Sequence, residues 1–250
     1  MIPTIPERKN EITRVEAFSD GMIAFAATLL VVTLEAPRSY DDLIRNLYGF
    51  IPFALSFIAL FYLWVVHTIL FRRYPLTDKP SIFINGILLF TILFYVHPLK
   101  FLATSFVSLF TGDPTIGAVT SWEQLRNLFI IYGAGWILIF LLVAWLYQRA
   151  YATRDSLGLS PVESYDAITY ARHYLGFALA GVLSILVALT GVGLAFGLPG
   201  MVYATIGLFA WLNFRQREPG RLHLARKVAE HPQLADTTAI DSSLIREALR

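Results

Sequence analysis

Three groups of polar residues stand out in a chain that is otherwise strongly apolar. The first is Arg14-Val-Glu-Ala-Phe18-Ser19-Asp20, which runs straight into the apolar stretch Met22 to Leu34. The second is Trp64-Val-Val-His67 and the third is Asn85. A charge beside or within hydrocarbon needs a partner, a water-filled cavity or a function. Asp20 therefore calls for polar neighbours, and Arg14, Trp64, His67 and Asn85 are the available ones. Trp64 and His67, three residues apart, share one helix face. His67 lies deep in its segment, so an Asp at matching depth is its expected partner. On this reading Asp20 is buried between helices, in a polar clamp that sets helix registry. The competing chemical reading is a proton route, because an intramembrane Asp–His pair is the usual material of a relay.

Successive residues of an α-helix are about 100° apart. On the first apolar segment Phe18, Gly21, Phe25, Thr28, Leu29 and Val32 then share one stripe, with Ser19 and Asp20 mostly on the other side. One reading makes the stripe a lipid-facing or helix-packing surface, with the Thr28 hydroxyl bonded back to its own helix. The other makes it a pore lining of apolar rings with a single hydroxyl ring. Apolar constrictions gate by dewetting, and oxygen-bearing rings replace an ion's hydration. The chain has no metal-ligand spacing, no Gly-rich phosphate loop and no nucleophile elbow. It is therefore not read as an enzyme, and no resident cofactor or metal is implied.

The elements that must position these residues are membrane helices. Hydrophobic residues make up 56% of the chain and charged residues only 15%, too little charge for a soluble domain of this length. A net charge of +2 leaves no nucleic-acid footprint, and the lack of cysteine excludes disulfides and thiol chemistry. The polar stretch Met1 to Thr13 lacks the features of a cleaved signal peptide. A spanning helix needs roughly 20 apolar residues. Six segments are predicted to span, near 15–34, 47–71, 82–110, 124–148, 173–196 and 199–214. Leu198-Pro199-Gly200 reads as a tight turn between the last two. Thr13 to Glu16, Ser39 to Asp42, Ser121 to Gln124 and Ser160 to Glu163, the last with Pro161 at the first helical position, have capping-box form. The last is expected to open a short amphipathic helix before the fifth span. Gly193-x-x-x-Gly197 reads as a small-residue contact motif in a membrane helix.

Basic residues alternate between connections. Arg8, Lys9 and Arg14 precede the first span; Arg72, Arg73 and Lys79 follow the second; Arg149, Arg154 and Arg172 follow the fourth; Arg215, Arg217, Arg221, Arg226 and Lys227 follow the sixth. The positive-inside rule then places both termini in the cytoplasm. The expected organisation is a transmembrane domain over 1–214 and a polar cytoplasmic tail over 215–250, helical near 222–230 and 242–249.

Arg14, Phe18, Ser19 and Asp20, with Thr28-Leu29-Leu30, then Trp64, His67 and Phe71, and then Asn85, occur in the order of a known signature. The chain resembles the transmembrane protein 175 family of potassium channels. A single copy of the Arg14-to-Asp20 motif resembles the single-repeat prokaryotic form. That resemblance implies an all-α fold of six spans per chain and a homotetramer in a prokaryotic inner membrane. Four copies of the first helix then surround a central pore that conducts potassium and other monovalent cations. In the family an Ile or Leu five residues after the motif Asp makes the narrow constriction, and here that position is Phe25. The filter-associated Thr, eight after the Asp, is Thr28, and further apolar rings map onto Leu29 and Val32. Four Phe rings are bulkier, seal more tightly, and offer ring faces that attract cations. The T-V-G-Y-G filter of ordinary potassium channels is missing both from the family and from this chain. The alternatives are a secondary transporter or proton pathway through Asp20 and His67, and a non-conducting membrane scaffold closed by Phe25.

Overall fold

The computed structural model describes residues 11–32, 38–40, 43, 44, 47, 49–111, 119, 121–230, 245 and 248. They form helices α1 Arg14–Val32, α2 Phe50–Arg73, α3 Lys79–Thr111, α4 Trp122–Ala152, α5 Arg154–Leu157, α6 Pro161–Thr190, α7 Leu198–Met201 and α8 Thr205–Glu230. Short 3-10 turns, Leu194–Phe196 and Val202–Ala204, flank α7. α1 packs on α2 and α3, α3 leads on to α4, and α4 packs along α6, which in turn carries α8.

The caps that the sequence advertises start three of these helices, while the Ser39 to Asp42 signal lies partly outside the described residues. At α1, Glu16 Oε2 accepts from the Thr13 backbone N–H at 2.7 Å, while the Glu16 N–H donates to Thr13 Oγ1 at 3.2 Å. At α6 the same reciprocal pair joins Ser160 and Glu163, with Pro161 in the first turn. At α4 the Ser121 hydroxyl oxygen accepts from the Gln124 N–H. Each satisfies N–H groups that a helix start otherwise leaves orphaned.

Among the described residues, five helices are long and apolar enough to cross a membrane: α1, α2, the Lys79–Val96 part of α3, α4 and α6. The sixth predicted span, 199–214, is not one helix. It is divided between α7, the turn Val202–Ala204 and the start of α8. The expected tight turn at Leu198-Pro199-Gly200 is the helical turn α7 itself. The reversal lies just before it, where Gly191, Gly193 and Gly197 have φ of 73°, 69° and 65°. That left-handed backbone favours glycine, so Gly193 and Gly197 serve the turn and not a helix contact. No separate amphipathic helix precedes the fifth span. α6 runs unbroken from Pro161, because no glycine or proline interrupts Val162 to Leu175. The predicted domain boundary at 214/215 falls inside α8. His231-Pro232 and most of the expected 242–249 helix lie outside the described residues.

The chain's two best-packed helices meet over glycine. A Cβ on Gly181 of α6 stands 2.8 Å from Ile137 Cγ1 and 3.0 Å from Trp136 Cδ1, and one on Gly133 of α4 stands 2.5 Å from Ile185 Cγ1. Aromatic rings fill the seam beside this crossing, with Phe140 and Phe177 each touching Trp136 and Tyr174 and each other, and the Trp136 indole N–H donating to the Phe177 carbonyl at 2.8 Å. Small residues let membrane helices approach and gain dispersion contacts. At the other end of α4, Asp78 holds the α2–α3 loop in place. Its Oδ2 accepts from Arg149 at 2.6 Å and its Oδ1 from the Ser81 hydroxyl at 2.5 Å. Burial pushes the Asp78 carboxyl up, but the bonds from Ser81 and Arg149 outweigh it and hold the group below its ordinary value. Gly181→Ala is expected to force α4 and α6 apart and cost about 1–3 kcal/mol, read as a fall in the thermal unfolding midpoint of the detergent-solubilised protein. An unchanged midpoint means that the crossing tolerates a methyl group.

Candidate functional site: the first helix and its polar clamp

Ser19 is fully buried where α1 meets α2 and α3. Its hydroxyl donates to the Val15 carbonyl at 2.7 Å. The same oxygen accepts from Asn85 Nδ2 on α3 at 3.0 Å. Asn85 Oδ1 stands 2.8 Å from His67 Nε2 on α2. With the amide nitrogen committed to Ser19, Asn85 offers His67 an acceptor, so the imidazole donates from Nε2. Ser19, Asn85 and His67 are each at most 2% exposed. One chain of hydrogen bonds thus runs through three helices in an apolar interior, where an unpaired polar group is costly. The His67 ring also stacks on Phe71, with centroids 4.5 Å apart.

Asp20 sits one residue on, about 100° around the helix from Ser19, and takes a different partner. Its Oδ1 accepts from the Trp64 indole N–H at 2.8 Å. The expected Asp20–His67 pair does not form, because Asn85 occupies His67. In the single chain Asp20 is also exposed, not buried as expected. It opens onto a cavity of about 190 Å³, lined by Ile12, Glu16, Asp20, Trp64, His67, Thr68 and Arg72. Sequence reasoning missed Glu16, Thr68 and Arg72 here. The signal was present, since Glu16 and Asp20 are one turn apart on α1, as are Trp64 and Thr68 on α2, with Arg72 one turn further. Arg14 and Phe18 are exposed and lie outside the hydrogen-bonded chain.

The clamp sets which way α1 faces. Ser19, Ile23, Ala26 and Leu30 form its buried side. Phe18, Phe25 and Val32, on the far side, are 62%, 52% and 71% exposed in the single chain. Gly21 and Thr28 are exposed with them and Leu29 is half-buried. The stripe is thus a continuous apolar surface that no helix among the described residues covers. Its one hydroxyl, on Thr28, donates to the Ala24 carbonyl at 3.0 Å. The hydrogen is spent inside the helix, so the Thr28 oxygen presents lone pairs outward.

The model of the family described as endosomal/lysosomal potassium channel TMEM175 matches residues 14–95, which hold α1, α2 and the first half of α3. A potassium channel of Marivirga tractuosa is 34% identical over 194 residues, covering 75% of this chain and 78% of that protein. A potassium channel of Chamaesiphon minutus is 27% identical over 180 residues, 68% of this chain and 79% of that one. Among solved structures, a variant of the potassium channel MtTMEM175 bound to a nanobody–MBP fusion aligns with a TM-score of 0.75 at 31% identity. It covers 86% of this chain and 97% of that one. The lysosomal potassium-selective channel TMEM175 homologue from Chamaesiphon minutus shares the fold, with a TM-score of 0.54 at 22% identity.

Asn85 is the joint of the clamp. Asn85→Ala is expected to strand both Ser19 and His67 and to destabilise the folded chain by about 1–3 kcal/mol, measured as lost thermal stability in detergent. Trp64→Phe, which keeps the ring and loses only the N–H to an exposed carboxylate, should cost less. The reverse order would make Asp20–Trp64 the principal tie.

Proposed function

The chain belongs to the TMEM175 family, and on that premise we propose that it is a potassium-permeable channel with its pore lined by α1. The observation that carries the reading is the orientation of this helix. One side is locked by Ser19, Ile23, Ala26 and Leu30, and the opposite stripe of Phe18, Gly21, Phe25, Thr28, Leu29 and Val32 is left without a partner helix among the described residues. A single chain offers one such face and cannot enclose a pore with it. Closed rotational symmetry is the common way to multiply a face, and a homotetramer places four copies around one axis.

In that assembly Phe25 is the constriction. It lies seven residues after Phe18 and seven before Val32, in the middle of the stripe. A potassium ion crossing a ring of four phenyl groups must shed water or squeeze it through, which is unfavourable in a dry apolar gap. The ring faces offset part of that cost by attracting a cation. Thr28, one turn along, then meets the ion with oxygen lone pairs. The surrounding solvent is the lipid bilayer, and the setting is a prokaryotic inner membrane. Basic residues gather at one end of the bundle, where Arg149 pairs with Asp78 and both Arg73 and Arg217 meet Tyr170. By the positive-inside rule this end, and both termini, face the cytoplasm. A proton pathway through Asp20 and His67 has less support, since the two side chains bond to different partners.

Potassium and sodium flux into liposomes holding the purified chain tests the reading. Phe25→Ala is expected to raise the flux several-fold and to weaken the preference for potassium, while Thr28→Ala should weaken the preference with less effect on closure. Native mass measurement of the same preparations should give four chains. Folded tetramers with flux and selectivity unchanged by Phe25→Ala would remove Phe25 as the constriction, and a monomer or dimer would remove the pore.

A further inference from the structure

A cluster of arginines lies where α2 ends and the first turns of α6 run. Tyr170 of α6 is its centre. The guanidinium carbon of Arg73, the last residue of α2, lies 4.9 Å from the Tyr170 ring centroid, and that of Arg217 on α8 lies 4.5 Å from it. Arg217 Nη2 also donates to the Tyr170 hydroxyl at 3.3 Å. Tyr147 of α4 stacks on Tyr170 with centroids 5.3 Å apart. Each guanidinium is thus within 4.9 Å of one point, and the two are less than twice that distance from each other.

Two carboxylates of this region already have bonded partners. Asp166 is held by Arg221, whose Nε stands 3.2 and 3.3 Å from its two oxygens. Glu163 Oε2 accepts from the Ser160 N–H and hydroxyl, both at 2.8 Å. Arg73 and Arg217 therefore meet on an aromatic ring, with the charge of Asp166, whose two oxygens are taken by Arg221, also reaching both. Aromatic contact offsets part of the cost of a half-buried guanidinium but leaves its N–H donors to be satisfied. Arg73 Nη1 is buried and meets no acceptor among the described residues. An isolated buried donor is expensive, and a cationic one more so.

We infer that Arg73 and Arg217, braced by Tyr170, form a binding site for a phosphoryl anion at the membrane interface. Planar guanidinium forks match phosphate oxygens bidentately. The site lies at the end of the apolar helix α2, at the depth where lipid headgroups lie. Basic pockets between membrane helices are suited to anionic headgroups. The ligand chemistry is the phosphoryl group, supplied by an anionic phospholipid or by free phosphate. Because α2, α4, α6 and α8 all contribute, occupancy ties the charged helix α8 to the spans. The inference does not depend on conduction.

The test uses the full chain in detergent, with thermal unfolding and native mass spectrometry as readouts. The probes are dioleoylphosphatidylglycerol, dioleoylphosphatidylcholine and inorganic phosphate. Phosphatidylglycerol is expected to raise the unfolding midpoint and to remain bound in the mass spectrum, with phosphatidylcholine clearly weaker. The double variant Arg73→Gln, Arg217→Gln should bind roughly tenfold more weakly, while Arg126→Gln, near the start of α4, should match the parent. Protection by phosphatidylglycerol without protection by phosphate identifies a lipid headgroup, and the reverse identifies a soluble anion. If the double variant yields no folded protein, Arg217→Lys, which keeps the charge and loses the fork, carries the same comparison. Equal protection by phosphatidylcholine, no protection of the parent by any probe, or phosphatidylglycerol binding unchanged in the arginine variants overturns the site.

Discussion

Everything distinctive about α1 depends on one requirement: a polar group in an apolar interior must be hydrogen-bonded. Ser19 meets it through Val15 and Asn85, and Asn85 meets it through Ser19 and His67. These bonds fix the rotation of α1 about its own axis more firmly than apolar contact can, because a sliding Leu loses little and a broken bond in hydrocarbon loses much. Once Ser19 faces inward, the 100° step of the helix turns Phe25 and Thr28 outward. The clamp and the pore stripe are two consequences of one rotation.

The rest of the chain is a support built on different physics. α4 and α6 meet through Gly133 and Gly181 and through an aromatic seam, with few polar ties. At the charged end the balance reverses. Asp166, with 3% of its side chain exposed, is tolerable only because Arg221 reaches it from α8, and the Tyr165 hydroxyl donates to the Arg217 carbonyl at 3.0 Å beside it. Leu224 and Ile245 are buried against Tyr165. The polar helix after the last apolar run is therefore joined to the membrane spans by a buried ion pair and a small apolar cluster. It is part of the fold and not an appended tail.

Much of this was legible in the residues themselves. Long apolar runs announce spans, because hydrocarbon tolerates little else, and the boxes at Thr13 and Ser160 announce helix starts, because those side chains reach the backbone three residues on. Part of the clamp was legible too: His67 and Asn85 are polar residues inside spans and must find partners, whereas the central place of Ser19 was not. Nor was the clamp's pairing. Asp20 and Asn85 are both plausible partners for His67, and only the relative depth and rotation of three helices select Asn85. The extent of α6 was hidden for a related reason. Asp166 and Arg172 exclude its first turns from an apolar window, and the partner that makes Asp166 acceptable lies 55 residues away on α8.

By itself, then, the sequence determined an all-helical membrane protein, its family signature, the stripe on α1 and the polar residues that must be paired, because each follows from local periodicity or from the intolerance of hydrocarbon for lone charges. The tertiary structure alone decided which polar groups pair, that Asp20 faces a cavity through Trp64, that the sixth apolar run is divided between α7, the turn Val202–Ala204 and the start of α8, and that Arg73 and Arg217 converge on one tyrosine. Those are long-range juxtapositions, set by how helices cross, and no spacing along a single helix encodes them.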